Sequence, residues 1–537
     1  MSEIENGTLG SPTHLVDDKS PSDEAREDVQ RKDVAFSVYL QAQGQTISPE
    51  ESYRVRRKID LHLMPLMMVT GFLQYLDKSA MSYAVLYNIE EDLNMTGSQY
   101  SWASSLFYFG TLVWSYPSLL LLQRFPVGKY FSCQVLAWGV ISFLMAATSN
   151  FSGLAALRFL LGAAESVQMP GFVIITSMYY TREEQPSRLL FWYATNGIAI
   201  IAGGLFAYGV GNINGTIPLW KYPFIICGAL STCWSIVLFF ALPSNPATAW
   251  FLTKKERAIA INRVRSNQTG IENKTFRKEQ AVEALMDPKV ILSALSNGAG
   301  NLLSGITLFG GLVIRSFGFS TLQTTLLQCP TGLIEIVALI VFTAGATYIP
   351  NSRVILSIIA TTIALVGTVM LYAVSLEHRW ALIAGLWIMG GFMPSSFILG
   401  MGVTASNIAG HTKKVTAHGI TFIFYAVGSK YFYYLASFAY PTTYISARMD
   451  FVDSSSRVST GIVGPQLYTT APYVQGRRAN VIALVVCLIL GILQLIYLIY
   501  ENRKRRRFLE LHPELQESDF HFQDLTDKEN PFSTNKI

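Results

Sequence analysis

Apolar residues along this chain are gathered into blocks of about 20, not spread as the one-sided stripes of soluble helices. The blocks fall near 61–84, 99–122, 130–149, 152–180, 189–212, 222–242, 289–315, 321–348, 353–375, 379–405, 415–440 and 479–500. Each is long enough to cross a bilayer as a helix, and several are long enough to tilt. Between the sixth and seventh lies a polar stretch, Pro243 to Pro288, that carries Lys254, Lys255, Glu256, Arg257, Arg263 and Arg265 among its charges. The pattern predicts an all-α membrane protein of 12 transmembrane helices in two six-helix bundles. The expected boundaries are an N-terminal tail over 1–57, a first bundle over 58–242, a central loop over 243–288, a second bundle over 289–501 and a C-terminal tail over 502–537.

Composition agrees with that layout. Of 537 residues 50% are hydrophobic and 14% charged, against about 25% charged in soluble domains, and the mean hydropathy is +0.32. Too few charges remain to coat a string of soluble domains. The basic residues also cluster by side. Arg54, Arg56, Arg57 and Lys58 precede the first block, and Arg124 with Lys129, Arg182 with Arg188, and Lys413 with Lys414 occupy alternate connections. Arg503 to Arg507 follow the last block, whereas the connection after the first carries Glu90, Glu91 and Asp92. Basic loops stay on the cytoplasmic side, so both termini and the central loop are expected there. The net charge of +5 is a topology signal and does not suggest nucleic-acid binding. The first 50 residues or so are polar and predict disorder; without an apolar region near the start they are no secretory signal. Phe508 to Ile537 reads as disordered beyond a short juxtamembrane helix.

The chemistry of hydrolysis is missing. There is no phosphate-binding GxxxxGK[ST] loop and no HExxH, so neither an ATP-driven motor nor a metalloprotease is encoded. Cys133, Cys227, Cys233, Cys329 and Cys487 lie inside apolar blocks without CxxC spacing and read as packing residues. His411 and His418 do not form a metal motif, and no cofactor or metal is expected. The sequence predicts no enzyme.

The informative residues are polar groups placed where hydrocarbon makes them costly. Arg158, Gly162 and Glu165 fall at offsets of four and seven in the fourth block, hence on one helical face. That spacing lets the cation and the carboxylate share a cavity, or form a structural ion pair. In the first block Gln74, Asp77 and Lys78 interrupt apolar sequence; Asp77 and Lys78 point about 100° apart and serve either a substrate pathway or the outer interface. In the eighth, Gln323, Gln328 and Glu335 accompany Pro330 and Gly332, which predict a kink that can line a cavity. Asn196 and Asn301 are candidate neutral hydrogen-bonding groups in the two halves. The pairs Gly203-Gly204, Gly310-Gly311 and Gly390-Gly391 read as sites of close helix packing. Trp102, Tyr108, Trp114, Trp192, Tyr193 and Trp387 read mostly as interface belt or packing. Glycosylation sequons begin at Asn94, Asn150 and Asn214 in expected outside loops.

Several runs carry a resemblance. Arg57-Lys-Ile-Asp-Leu-His-Leu-Met-Pro65, Leu76-Asp-Lys-Ser79, Leu122-Gln-Arg-Phe-Pro-Val-Gly-Lys-Tyr130 and Asn267-Gln-Thr-Gly-Ile-Glu-Asn-Lys274 resemble the fungal allantoate permease family. Phe317-Gly-Phe-Ser-Thr-Leu-Gln-Thr-Thr-Leu-Leu-Gln328 and Asn407-Ile-Ala-Gly-His-Thr-Lys-Lys414 do the same. That family belongs to the anion:cation symporters of the major facilitator superfamily, and the resemblance covers residues 50 to 535. It implies import of a small organic anion, driven by protons; the protein is expected to act as a monomer and to lie in the plasma membrane. It also implies that Arg158 and Glu165 match residues associated with anion recognition and proton coupling. Members carry allantoate, ureidosuccinate and dipeptides, nicotinate, pantothenate or biotin, so the substrate itself does not transfer.

One segment departs from the pattern. After Gly428 the family runs almost directly into a segment matching Gly464-Pro-Gln-Leu467, but here residues 430–460 intervene, with Arg448, Asp450, Asp453 and Arg457. Codons for Ser429-Lys430-Tyr431 can spell a donor-like splice site, and those for Thr460-Gly461 an acceptor-like one. The segment reads as a retained intron translated in frame; the alternative is an outside loop after a displaced span.

The residues together predict a proton-coupled symporter whose partners are the bilayer, protons and a small organic anion such as allantoate, a related carboxylate or a dipeptide. Arg158 would bind the carboxylate, assisted by Lys78, Asn196, Asn301 and Gln328, and Glu165, with Asp77 and Glu335, would carry protons. The competing readings are a permease or exporter for a secondary metabolite or vitamin-like acid, and a non-transporting sensor.

Overall fold

The computed structural model describes residues 48–95, 99–181, 184–265, 277–301, 303–409, 411–427, 474–512 and 526–528. The atypical segment 430–460 and most of both expected tails lie outside them. Every long element is a helix. In chain order they are α1 (Pro49–Leu86), α2 (Gln99–Arg124), α3 (Val127–Met145), α4 (Phe151–Glu165 and Gln168–Tyr179), α5 (Gln185–Val210) and α6 (Lys221–Ala241). The second half contributes α7 (Pro288–Asn301 and Ser304–Ser316), α8 (Thr321–Leu327 and Cys329–Tyr348), α9 (Arg353–Ala373), α10 (Arg379–Asn407), α11 (His411–Val427) and α12 (Val474–Leu511). Ten of these are long and apolar enough to cross a membrane. The other two are α7, which is broken into two shorter pieces, and α11, described only as far as Val427.

Local chemistry explains the ends and breaks. The Ser48 hydroxyl accepts from the Glu51 amide and Pro49 occupies the first turn, so α1 starts ahead of the expected boundary at 58. Asn150 caps α4 by accepting from the Gly153 amide at 2.8 Å. Ser320 and Gln323 form a reciprocal capping box at the start of α8. The kink expected there is present: the helix breaks at Gln328, and Pro330 lies in the first turn of the next piece, where its missing N–H is tolerated.

The helices pack as two groups. In the first, α1 lies against α5 and α6, α4 against α2 and α3, and α3 against α6; in the second, α9 lies against α10 and α12, α7 against α11 and α12, and α8 against α10. Three principal pairs cross between them: α1 with α7, α2 with α11, and α5 with α8. Backbone approach within the first group depends on glycine. A Cβ on Gly162 would sit 1.8 Å from the Phe107 carbonyl oxygen, so no other residue lets α4 meet α2 this closely. Large apolar side chains including Val113, Ile236, Phe240, Val341 and Ile496 are exposed on the perimeter, which suits lipid and would be costly in water.

One end of the molecule is strongly basic and tightly paired. The Arg188 guanidinium donates to both carboxylate oxygens of Asp60 at 3.1 and 2.7 Å. A loop helix, Lys254–Arg265, is held to the first group by Lys58–Glu256 at 2.8 Å and Arg263–Glu184 at 2.6 Å. A second loop helix, Lys278–Met286, is held to the other group by Lys413–Glu283 at 2.9 Å. The expectation of a C-terminal tail without structure is corrected at 526–528. There Asp527 is buried, pairs with Lys413 at 2.6 Å and with Lys289, and accepts through its backbone carbonyl from Arg505 at 2.9 Å. Glu283, Asp287 and Asp527 lie close enough together to suggest a cation site, but Lys413 reaches all three and supplies the compensating charge.

Candidate functional site

The two helix groups enclose a cavity of about 280 Å³. Its wall from the first group includes Gln74 and Lys78 of α1, Phe107, Tyr108 and Thr111 of α2, Glu165 of α4 and Asn196 of α5. The second group supplies Asn301 of α7, Gln328, Thr331 and Glu335 of α8, and Met393 and Phe397 of α10. At the end away from the basic face the groups are joined by the Tyr100 hydroxyl, which donates toward the Leu308 carbonyl at 3.3 Å. Nearer the basic face the rings of Tyr193 and Phe397 meet at 5.9 Å across the same interface.

Six of the expected residues therefore come together: Lys78, Glu165, Asn196, Asn301, Gln328 and Glu335. Glu165 is fixed by α1, because the Gln74 amide donates to its Oε2 at 2.5 Å. Its Oε1 has no hydrogen-bond partner among the described residues. The Lys78 ammonium sits 5.5 Å from the centre of the Tyr108 ring, so the cation rests on an aromatic face. Lys78 is thus neither at the perimeter nor snorkelling, and the cavity reading of the two offered by the sequence is the one its position fits.

Arg158 and Asp77 are placed differently. Both are fully buried and neither belongs to the cavity wall. Arg158 lies 5.1 Å from the Phe107 ring, which itself lines the cavity, and its Nε donates to the Ala103 carbonyl at 3.4 Å. Asp77 accepts from the Ser142 hydroxyl of α3. Arg158 shares a face of α4 with Glu165 but is not part of the cavity wall, and the Phe107 ring of α2 lies against its guanidinium. The outer guanidinium nitrogens of Arg158 and the Oδ2 of Asp77 have no hydrogen-bond partner in the described structure.

Sequence reasoning undervalued the aromatics. Tyr108 and Tyr193 read as belt or packing residues, yet both line the cavity, as does Phe397. The one available signal was the position of Tyr108 in the middle of a block, away from the interface levels where aromatic belts form. The sequon residues Asn94, Asn150 and Asn214 are all exposed, and Asn150 is also engaged as a helix cap. All five cysteines are free; Cys227 and Cys487 are buried as packing residues would be, whereas Cys133 and Cys233 are exposed, which corrects the buried-packing reading for those two.

Two helix groups around a central polar cavity agree with what comparison with known families finds. The model of the Major Facilitator Superfamily matches residues 67–430. The chain belongs to this superfamily. An uncharacterized transporter of Schizosaccharomyces pombe is 35% identical over 98% of this chain and 93% of its own length. The allantoate permease of Saccharomyces cerevisiae is 32% identical over 98% of this chain and 94% of its own. A thiamine pathway transporter of the same yeast is 28% identical over 90% of this chain and 86% of its own. The superfamily member described here is therefore a multi-pass membrane transporter of the allantoate permease-like group, and not an enzyme. The superfamily match ends at 430, where the atypical segment begins.

Proposed function

We propose that this transporter is a proton-coupled symporter that imports a small organic anion, a carboxylate of the allantoate, ureido-acid or dipeptide kind. The observation that carries the reading is the pairing of one cation, Lys78, with a carboxylate, Glu165, on the same cavity wall. Lys78 takes the substrate carboxylate, a role expected first of Arg158, and Asn196, Asn301 and Gln328 complete the polar contacts. Glu165 exchanges the coupling proton. When an anion occupies Lys78, that lysine no longer compensates a second negative charge in the cavity, so anion and proton arrive together. Asp77 and Arg158 hold the charge balance behind Phe107. The two bundles rock about this site, with both termini on the cytoplasmic side of the plasma membrane. A chain acting as a monomer suffices, since one chain supplies both walls.

The test is uptake of labelled carboxylates by permease-deficient yeast at two pH values, with Glu165→Gln alongside the unaltered protein. Loss of pH-driven uptake with counterflow exchange retained is expected. Loss of both in a variant that reaches the membrane counts against the scheme. A second reading, movement of a vitamin-like compound or secondary metabolite, is favoured by the similarity to a thiamine pathway transporter. It predicts that no simple carboxylate competes for transport.

A further inference from the structure

Helix α8 presents a row of polar groups to the cavity whose hydrogen-bonding capacity is unused. Gln328, Thr331 and Glu335 all line it. Their spacing of three and four residues puts them on one face, stretched over about 10 Å of helix. The Gln328 Nε2 and the Thr331 Oγ1 are buried without a hydrogen-bond partner among the described residues. Glu335 is only 2% exposed, and no described residue bonds or pairs with it. The contrast with Glu165, which is held by Gln74, is sharp.

Burying such a group without a partner is costly, and an ionisable one more so. Three on one face form a site only if something in the cavity satisfies them. The row is also closely packed. A Cβ on Gly390 would lie 2.6 Å from the Thr331 methyl, and one on Gly391 2.3 Å from a methyl of Ile334, so the two glycines let α10 press directly against α8. Lys78, the cavity's cation, stands on α1 in the other group. The cavity thus has a cationic wall and, across the interface, a wall of mixed hydrogen-bonding groups, in which the Glu335 carboxylate accepts, the Gln328 Nε2 donates and the Thr331 hydroxyl can do either.

We propose that the Gln328, Thr331 and Glu335 row of α8 selects the substrate by its second polar end, requiring an N–H-bearing group such as an amide, ureido or ammonium function opposite the carboxylate held by Lys78. Glu335 accepts from that N–H group, while the amide of Gln328 and the hydroxyl of Thr331 pair with its remaining polar atoms. A molecule that meets both requirements touches both bundles at once, which ties recognition to their closure. This rests on the carboxylate reading of Lys78 above.

The probes are matched short acids of equal length, one ending in a ureido group and the other in a methyl group, each labelled and offered to yeast expressing the full chain. The unaltered protein is expected to take up the ureido acid roughly tenfold or more faster, because a site built to hydrogen-bond rejects a ligand that cannot. Glu335→Gln should bring the ratio of the two rates toward unity, and Thr331→Val should lower it partway. An unchanged ratio in both variants overturns the inference. So does parallel loss of both acids together with the pH dependence, which would make Glu335 a proton carrier. If the unaltered protein moves both acids equally, this inference alone fails; if it moves neither, the carboxylate reading fails with it. Thr331→Val adds no volume and keeps the test open should Glu335→Gln fail to reach the membrane.

Discussion

Gly197 of α5 and Gly332 of α8 face each other across the interface between the bundles with nothing but backbone between them. A Cβ on Gly332 would sit 2.3 Å from the Gly197 carbonyl oxygen, and one on Gly197 would sit 2.6 Å from the Gly332 carbonyl oxygen. Neither obstacle is a flexible side chain that can step aside. The contact lies at the level of the cavity, between Asn196 and Thr331, so it sets how near the two polar walls come.

Gly332→Ala is therefore expected to hold the bundles apart. Transport should fall by an order of magnitude or more while the protein still reaches the membrane, because the substitution disturbs a moving interface and not the interior of either bundle. Uptake normalised to surface protein checks this; normal rates would show that the close approach is dispensable.

Lys78 and Arg158 should differ in access. In a background freed of the five native cysteines, Lys78→Cys is expected to react with a small membrane-permeant thiol reagent, because position 78 lines the cavity. A cysteine at 158, behind Phe107, is expected to stay unlabelled. Labelling at 158 with protection by substrate would return Arg158 to the cavity wall.

The docked tail makes a prediction with a sign. Burial works against ionisation of Asp527, but Lys289 and Lys413 outweigh it and hold the carboxyl below its ordinary range. A group whose folded value is depressed contributes stability that is complete above the unfolded value and is lost only as pH falls through the folded one. Tail docking should accordingly persist through the mildly acid range used to drive uptake and fail only below the ordinary carboxylate range. Asp527→Asn should cost about 3 kcal/mol at neutral pH, the low end for a broken buried pair, since Asp287 and Glu283 still hold Lys413. Thermal unfolding of the purified protein in detergent against pH measures both effects.

The segment 430–460 has a test at the level of the message. Reverse transcription across Gly428 and Gly464 should give a dominant product in which the segment is absent. Its presence in most messages would make it a real part of the protein.

Much of this protein is legible in one dimension. Membrane helices are specified by runs of apolar residues that need no knowledge of partners, which is why ten spans and the basic end follow from the sequence. The break in α8 is local too, because Pro330 and the Ser320 to Gln323 cap act within a few residues. The spacing of Arg158 and Glu165 correctly put them on one face of α4, but it could not tell which would meet the cavity. That was decided by α2, distant in sequence, which sets Phe107 over the arginine and leaves the glutamate to Gln74 of α1. The burial of Asp527 is of the same kind: a polar tail has no core of its own, and only the lysines at the starts of α7 and α11 give its carboxylate a place. Sequence fixes what each helix can offer to lipid or to a cavity; the packing of helices far apart in the chain decides which offer is taken.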